Sequence, residues 1–393
     1  MKKAWALLLV LFLLLTLCAC IKKEETVSAP ESYADILGPG GELLGQIDGR
    51  AFPTAADRGI FYSVFAPGEG KFTAPAAYHF FDAEKRTDVL LGTLENQGYE
   101  AAFARTELDG VVYTLAVTGN VFGSAPTPLL LLAFDLNAGT MREYTVSKTG
   151  FPYTAMAALP GRLIIMNHEM TDPRTDSVYE FDPATGNVRQ VLTFDSEKDS
   201  LRSVAATKNG FCLLRLSLQG GAVAQVFLDR FTADGEKLSS ADVTEQLSAA
   251  IETIGGISGT ADAMNELGMN VSRFVLQDDR YLVYENFGLS RVALDLETGE
   301  VLFAGDDEYG VSPGNGAPVF YRTEFEAQGA GEHELFELRQ GKTSRFAFSS
   351  SVDGALLQSV SRSPGGTVLV TVSDRFPLRD AALALYLLPT ADD

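Results

Sequence analysis

The segment YEFDPATGNVRQVLTF (179–194) contains a short apolar strand, an aspartate, three further residues, a glycine and a second strand. The same order recurs in AFDLNAGTMREYTV (133–146) and VALDLETGEVLFAG (292–305). At this spacing the aspartate side chain accepts hydrogen bonds from the amides of a turn, and the glycine adopts a positive φ where the second strand begins. Each segment is therefore predicted to form a β-hairpin, and metal or sugar binding by the aspartates is the alternative.

Weaker copies of this hairpin extend the repeat along the chain. The marker positions are 82, 135, 182, 232, 295 and 337, with separations of 42 to 63 residues. Two further short strands precede each hairpin, so that four strands fit into about fifty residues, the size of one propeller blade. We predict an all-β fold, with seven four-stranded blades in a single domain at 41–393. Six or eight blades are alternatives, because the first and last units are the least regular.

The last unit of the repeat shows three strands in the sequence. Its fourth strand is predicted to come from GELLGQIDGR (41–50), because pairing the two ends of the chain removes an open sheet edge. The pattern resembles a seven-bladed β-propeller of the WD-repeat or quinoprotein kind, in architecture only. The sequence lacks both the WD dipeptide and the Ser-x-Asp-x-Gly-x-Thr-Trp box of sialidase propellers. The resemblance therefore implies a fold and no particular activity.

The N-terminal segment MKKAWALLLVLFLLLTLCAC (1–20) combines a charged start, an apolar run and a cysteine, in the order typical of a signal peptide. Its last four residues, Leu17 to Cys20, resemble the lipobox of bacterial lipoproteins. This resemblance implies a signal peptide at 1–19, a lipid such as palmitate on Cys20, and a flexible tether at 20–40. It also implies attachment to the extracytoplasmic face of the cell membrane. An uncleaved membrane anchor is the alternative, although the apolar run is shorter than the roughly 20 residues that a span needs.

The composition excludes several classes of function. The 393-residue chain carries a formal net charge of −21, and an acidic surface repels phosphate backbones, so no nucleic acid partner is expected. The only histidines are His79, His168 and His333, and Cys212 is the one cysteine beyond the lipobox. We predict no metal and no cofactor, since these residues do not form a zinc-ligand cluster. Cys212 is expected to be a small buried residue.

The segment between the fourth and fifth units is longer than the others. Within SSADVTEQLSAAIETIGG (239–256), apolar residues recur at the spacing of one helical face, and Ser239 with Asp242 resembles a capping box. A helical insertion is therefore predicted at about 239–268, with a second short helix at 260–268. It is expected to cover apolar surface between two blades, and a lid or a partner-docking helix is the alternative.

Several long connections fall on the face that carries ligands in many propellers. HEMTDPRTDS (168–177) offers His168, Glu169, Asp172 and Arg174, and SDRFPLRDA (373–381) offers Arg375 and Arg379. We predict these six residues as candidate ligand-binding side chains, and solvated surface charge is the alternative. A third segment, DSEKDS (195–200), alternates carboxylates as calcium loops do, but it lacks their glycine and distal glutamate.

Two functions fit these observations best, and a periplasmic assembly factor in an outer-membrane organism is a third, weaker interpretation. The first is a non-catalytic binding or scaffold propeller for an envelope protein, peptide or glycan, acting as a monomer. The second is a secreted enzyme that cleaves polysaccharide with two carboxylates that face each other in the central pocket, about 5 to 9.5 Å apart. We favour the first, because no catalytic motif occurs in the sequence.

Overall fold

The structure is a computed structural model of the whole chain. Its contacts divide the chain into two units, Met1–Ser32 and Tyr33–Asp393, and every described residue belongs to the second unit. The described residues are 47–48, 53–65, 74–85, 87–118, 127–151, 154–169, 173–253, 259, 262–264, 272–277, 280–286, 290–306, 309–312, 319–322, 332–339, 342–349, 356–363, 368–373 and 382–388. The predicted signal peptide, Cys20 and tether lie outside these residues.

The described residues are mostly strands, with one helix. The first strands are β1 (Ile47–Asp48), β2 (Thr54–Ala56), β3 (Gly59–Phe65), β4 (Ala74–Asp82), β5 (Thr87–Leu108), β6 (Val111–Thr118), β7 (Leu129–Asp135) and β8 (Thr140–Ser147). The central part of the chain forms β9 (Ala155–Leu159), β10 (Arg162–Glu169), β11 (Thr175–Asp182), β12 (Asn187–Asp195), β13 (Asp199–Thr207), β14 (Gly210–Gln219), β15 (Ala222–Thr232), β16 (Lys237–Asp242) and α1 (Thr244–Glu252). The remaining strands are β17 (Ser272–Gln277), β18 (Tyr281–Asn286), β19 (Ser290–Asp295), β20 (Val301–Asp306), β21 (Tyr309–Ser312), β22 (Val319–Arg322), β23 (Glu332–Arg339), β24 (Lys342–Ser349), β25 (Leu356–Arg362), β26 (Val368–Ser373) and β27 (Ala382–Leu388).

These strands form five four-stranded sheets and one seven-stranded sheet, and every pairing is antiparallel. The paired strands are adjacent in sequence, with the one exception of β1 and β27. The seven-stranded sheet contains the long strand β5. Strand β4 pairs with the part of β5 from Thr87 to Gly98, whereas β6 pairs with the part from Gly98 to Leu108. Two successive four-stranded sheets therefore share β5. This division supports a count of seven blades, which stays a prediction.

The two ends of the domain meet in one sheet, as predicted. Strand β1 pairs with β27, with Ile47 opposite Leu383 and Asp48 opposite Ala382. The N-terminal strand thus supplies the fourth strand of the sheet formed by β25, β26 and β27. Because this pairing covers the edge of β27, that edge is not open to another chain.

The first strands of successive sheets contact one another. Strand β9 contacts both β5 and β13, β13 contacts β17, and β25 contacts both β21 and β2. The fourth strands β8, β12 and β16 are largely exposed, which places them at the periphery. Four-stranded antiparallel sheets with their first strands innermost, closed by an N-terminal strand, define a β-propeller. The predicted fold class is confirmed.

Both faces of the β9–β12 sheet are buried between neighbouring sheets. On one face, Ile165 and Phe181 pack with residues of β6 and β7, including Leu131. On the other face, Ile164 and Val178 pack with residues of β13 and β14. Alternate residues of a strand point to opposite faces. Consecutive side chains along each strand of this sheet therefore contact the preceding and the following sheet in turn. This alternation decides where the candidate site residues point.

The hairpin turns have the predicted chemistry. In the third repeat unit, the Asp182 carboxylate accepts a hydrogen bond from the Ala184 amide at 2.9 Å, and Gly186 has a φ of 74°. The amide of Gly186 donates to the Asp182 carbonyl at 2.7 Å. The equivalent amide bonds to the aspartate and positive glycine φ angles occur in two further hairpins, at Asp135 with Gly139 and at Asp295 with Gly299. Turn hydrogen bonding therefore accounts for these aspartates.

The helical insertion begins later than predicted. Residues 239–242 belong to β16, where Ser239 pairs with Arg230 and Asp242 with Phe227, so the predicted helix start and capping box at Ser239 are wrong. These residues complete a four-stranded sheet, and that pairing outweighs their local capping preference. Helix α1 spans Thr244–Glu252 with no side-chain capping bond at its N-cap residue.

Helix α1 covers apolar surface between two sheets, as predicted. Leu247, Ala250 and Ile251 are fully buried in one cluster with residues of β14, β15, β18 and β19. The described part of the second predicted helix is helical at 262–264, and the rest of that segment lies outside the described residues, apart from Gly259 just before it. Cys212 is buried in the same cluster, as predicted.

Candidate functional site

The candidate site lies where β10 ends and β11 begins, in the β9–β12 sheet. In an antiparallel sheet the end of β10, the start of β11, the end of β12 and the start of the next first strand, β13, all lie at the same edge. We call this edge the loop end. His168 and Glu169 are the last two residues of β10, and Asp176 is the second residue of β11. His168 lies directly opposite Asp176 in the sheet.

Asp176 contacts His168 within its own sheet and also contacts the next sheet. His168 Nδ1 lies 2.8 Å from Asp176 Oδ1, and the Ser196 hydroxyl donates to the same oxygen at 3.0 Å. The other oxygen, Oδ2, accepts from the amide of Leu201 on β13 at 2.7 Å. Because Ser196 and Leu201 lie on the connection to the next sheet and on its first strand, Asp176 holds the β9–β12 and β13–β16 sheets together at the loop end.

The Asp176 carboxylate is held in its charged form. Burial alone raises the pKa of this carboxyl group, but the bonds from His168, Leu201 and Ser196 together lower its pKa below the ordinary value of 3.8. A charged carboxylate with hydrogen bonds to both oxygens is stable in a buried position. Asp176 is therefore suited to hold the sheets together and unsuited to deliver a proton at neutral pH.

Glu169 makes its contacts on the opposite face of the same sheet. Its carboxylate accepts hydrogen bonds from the hydroxyls of Tyr179, Thr175 (3.4 Å) and Ser147 (3.3 Å). Ser147 is the last residue of β8, so Glu169 contacts the preceding sheet. Burial and the bond to Glu169 raise the pKa of Tyr179 to about 12. The tyrosine hydroxyl thus stays protonated as a donor to the carboxylate.

The structure places the predicted site residues in three different situations. His168 and Glu169 lie side by side in sequence but contact opposite neighbours, so the two carboxylates of Glu169 and Asp176 do not share one pocket. Arg174 is exposed just before β11, and its carbonyl accepts from the Ser196 amide at 3.3 Å. The remaining predicted residues lie outside the described part of the chain, namely Asp172, Arg375 and Arg379.

Sequence reasoning missed Arg202, which lies at the loop end on the first strand β13. Leu201 pairs with Arg215 and Ser203 pairs with Leu214, so Arg202 is the extra residue of a β-bulge. The buried Nε atom of Arg202 has no hydrogen-bond partner among the described residues. Burial lowers the pKa of Arg202, and the charge of Asp176 opposes this effect. The only signal in the sequence is an arginine within the otherwise apolar and small segment LRSVAA (201–206).

The other buried charges of this region are paired. Asp229 on β15 is fully buried and accepts from Arg215 Nε at 2.7 Å and from Lys237 at 2.8 Å. Arg215 also contacts Asp199 at 2.5 Å. In the acidic segment 195–200, the exposed Asp195 pairs with Lys198 at 2.7 Å.

No cluster of three or more metal-ligating side chains occurs within the described ranges. None of the helices in those ranges has the length and apolar character to cross a bilayer.

Comparison with known proteins places the chain in no family: no family model and no curated protein matches it. Among solved structures, it is similar to the β-propeller domain of the Trilobed protease from Pyrococcus furiosus (TM-score 0.42, 10% identity, covering 74% of this chain and 81% of that chain). It is also similar to a putative 6-phosphogluconolactonase from Bacteroides fragilis (TM-score 0.46, 13% identity, 86% and 98% covered). A third similar structure is a chain of the mitotic checkpoint complex (TM-score 0.48, 11% identity, 93% and 98% covered). At this level of similarity no activity or ligand transfers to this chain, since propellers carry many unrelated functions.

Proposed function

We propose that this protein is a lipid-anchored, extracytoplasmic propeller that acts as a non-catalytic binding or scaffold module for an envelope protein, peptide or glycan. The observation that carries the proposal is that the carboxylates at the loop end are bonded to neighbouring sheets. Asp176 and Glu169 each bind a neighbouring sheet, one on each face of the same blade. Such bonds stiffen the scaffold that presents the loops, and they leave neither carboxylate available for acid and base catalysis.

The anchoring part of the proposal rests on the sequence Leu17-Cys18-Ala19-Cys20. A lipidated cysteine at the start of the mature chain, followed by a polar tether, would hold the domain at the membrane surface with the freedom to meet partners there. The acidic character of the chain favours protein or glycan partners over nucleic acid. We expect the domain to be a monomer, which size-exclusion chromatography with light scattering would check.

The anchoring is tested by metabolic labelling with radioactive palmitate in a bacterial host. The wild-type chain is expected to incorporate label and to fractionate with membranes, whereas Cys20→Ser is expected to do neither. Cys212→Ser is the matched control, because Cys212 is buried in the propeller core and should not affect labelling. Label in the Cys20→Ser variant, or none in the wild type, would contradict a lipid anchor at this position.

The binding role needs a separate test. The full-length protein is cross-linked on intact cells, and the products are compared with those of the Cys20→Ser variant, which has lost its attachment. A specific envelope partner or glycan that depends on the anchored form is expected. Failure to recover any partner, together with turnover of a polysaccharide by the purified protein, would overturn the proposal in favour of the enzyme alternative.

A further inference from the structure

Arg202 is an anomaly among the arginines of the described region. Arg215 contacts two aspartates, and Arg280 forms ion pairs with Asp295 and Glu297. Arg202, in contrast, forms no ion pair among the described residues, and its buried Nε has no acceptor. The Nε of Arg105 also lacks an acceptor, but Arg105 donates through Nη1 to the Thr54 hydroxyl at 2.8 Å. A buried guanidinium donor without an acceptor is unfavourable, and an external acceptor would remove this cost.

The backbone around Arg202 places this side chain at the innermost strand of its blade. Strand β13 contacts the first strands β9 and β17 on either side. The bulge at Arg202 interrupts the alternation of side chains along β13, and bulges of this kind re-aim a side chain and often occur next to functional sites. As a whole residue Arg202 is partly exposed, although its Nε atom is buried.

The charge of Asp176 acts on Arg202 without pairing with it. Asp176 influences the guanidinium electrostatically, yet no ion pair joins the two side chains, and both Asp176 oxygens bond to other groups. One oxygen lies next to His168 and accepts from Ser196, and the other accepts from the Leu201 amide. The guanidinium of Arg202 is therefore a donor group whose natural acceptor is missing from the described part of the protein.

We propose that Arg202 binds the carboxylate group of a small ligand at the loop end of the innermost strands. The planar guanidinium donates two parallel hydrogen bonds to a carboxylate, which is the geometry that arginine provides best. A singly charged carboxylate fits better than a phosphate, because Asp176 and the net charge of −21 disfavour further negative charge. This inference rests on the binding role proposed above and names the chemistry of one ligand contact.

Titration calorimetry on the full-length protein in detergent tests the inference with two carboxylate probes, glucuronate and N-acetylalanine. Their neutral amides and inorganic phosphate are the comparison ligands. At least one carboxylate is expected to bind, with its amide about tenfold weaker or more, since a charge-assisted hydrogen bond contributes at least that factor. Whichever probe binds better indicates whether a sugar acid or a peptide terminus carries the carboxylate. Equal binding of acid and amide, or stronger binding of phosphate, would overturn the inference without any variant.

Two variants then locate the site. Arg202→Gln is expected to weaken carboxylate binding about tenfold or more, whereas Arg142→Gln should leave it unchanged because Arg142 is exposed on the peripheral strand β8. Arg202→Lys retains the charge but lacks the planar guanidinium, so it should bind the carboxylate with intermediate strength. This variant takes the place of Arg202→Gln if the glutamine variant does not fold. Unchanged carboxylate binding in both Arg202 variants refutes the site. If the envelope partner still cross-links to those variants, the binding role stands and only the assignment of Arg202 fails.

Discussion

Glu107 makes the stability of this propeller depend on pH near neutrality. It lies near the end of β5, with 8% of its surface exposed, and its Oε2 atom accepts a hydrogen bond from the Asp57 amide at 3.0 Å. Burial and the nearby charge of Asp57 raise the pKa of Glu107 from 4.5 to about 7, against the opposing effects of the Asp57 amide and the Arg58 charge. The folded protein thus binds a proton that the unfolded chain has already released.

The sign of the effect follows from this difference. Between pH 4.5 and pH 7 the unfolded chain binds fewer protons at this position, so the free energy of unfolding falls as the pH rises. Each unit of pKa difference corresponds to about 1.4 kcal/mol, so the loss reaches about 3 kcal/mol above pH 7. Glu107→Gln keeps an acceptor for the Asp57 amide and removes the ionisation. The variant is therefore expected to gain about 2 to 3 kcal/mol over the wild type between pH 5 and pH 8.

Urea unfolding of both proteins at pH 5 and pH 8, followed by circular dichroism, measures this difference. Glu143→Gln is the matched control, because Glu143 is exposed on the peripheral strand β8; the same substitution there should give a stability difference that does not change with pH. If the glutamine variant at 107 shifts stability equally at both pH values, the Glu107 carboxyl is not perturbed by burial and the reasoning is refuted.

Three further changes test the contacts between and within the sheets by urea unfolding. Asp176→Ala leaves the Leu201 amide without its acceptor and is expected to destabilise the fold by about 3 kcal/mol. Because the pKa of Asp176 is lowered in the folded protein, the contribution of its carboxylate to stability is present above about pH 4 and is lost as the pH falls further. Leu247→Ala removes a fully buried side chain of α1 and should lower stability by about 2 to 5 kcal/mol. Gly186→Ala should cost more than the roughly 1 kcal/mol of a left-handed alanine, because its Cβ would lie 2.9 Å from the Tyr144 ring.

Each of these changes has a counterpart that isolates its cause. Asp195→Ala removes an exposed aspartate of the loop end, and a loss above about 1 kcal/mol there would show that exposed carboxylates matter as much as Asp176. Glu252→Ala leaves the buried face of α1 intact and should be nearly neutral. Gly161 also has a positive φ, of 70°, but an alanine Cβ there meets nothing within 4 Å. Equal effects at Gly161 and Gly186 would contradict the role given to Tyr144.

The local chemistry of the chain predicted the hairpins because each turn depends on residues only a few positions apart. Asp182 and Gly186 form the turn with their own neighbours, so no distant contact was needed to recognise it. The start of the insertion was not predictable in the same way. Ser239 and Asp242 suit a helix cap as well as a strand, and the choice depends on their pairing with Arg230 and Phe227 of β15.

The position of His168 and Glu169 in the sheet was predictable, but the orientation of their side chains was not. The sequence placed His168 and Glu169 at the loop end, where the structure has them. Which neighbour each side chain contacts depends on the alternation along β10 and on the sheets packed against both faces. Arg202 was missed for a related reason, since a bulge in β13 is set by its register with β14 and leaves no mark in the local sequence.

A propeller buries both faces of each blade, and this has a consequence for where binding groups can lie. A buried charged side chain on a second or third strand is stable only with partners. These partners belong to a neighbouring blade for Asp176 and Glu169, and to the same blade for Asp229. Arg202 differs from these carboxylates, because its buried Nε has no acceptor and because it is the extra residue of a bulge on an innermost strand. These two features favour Arg202 over Asp176 and Glu169 as the residue that meets a ligand.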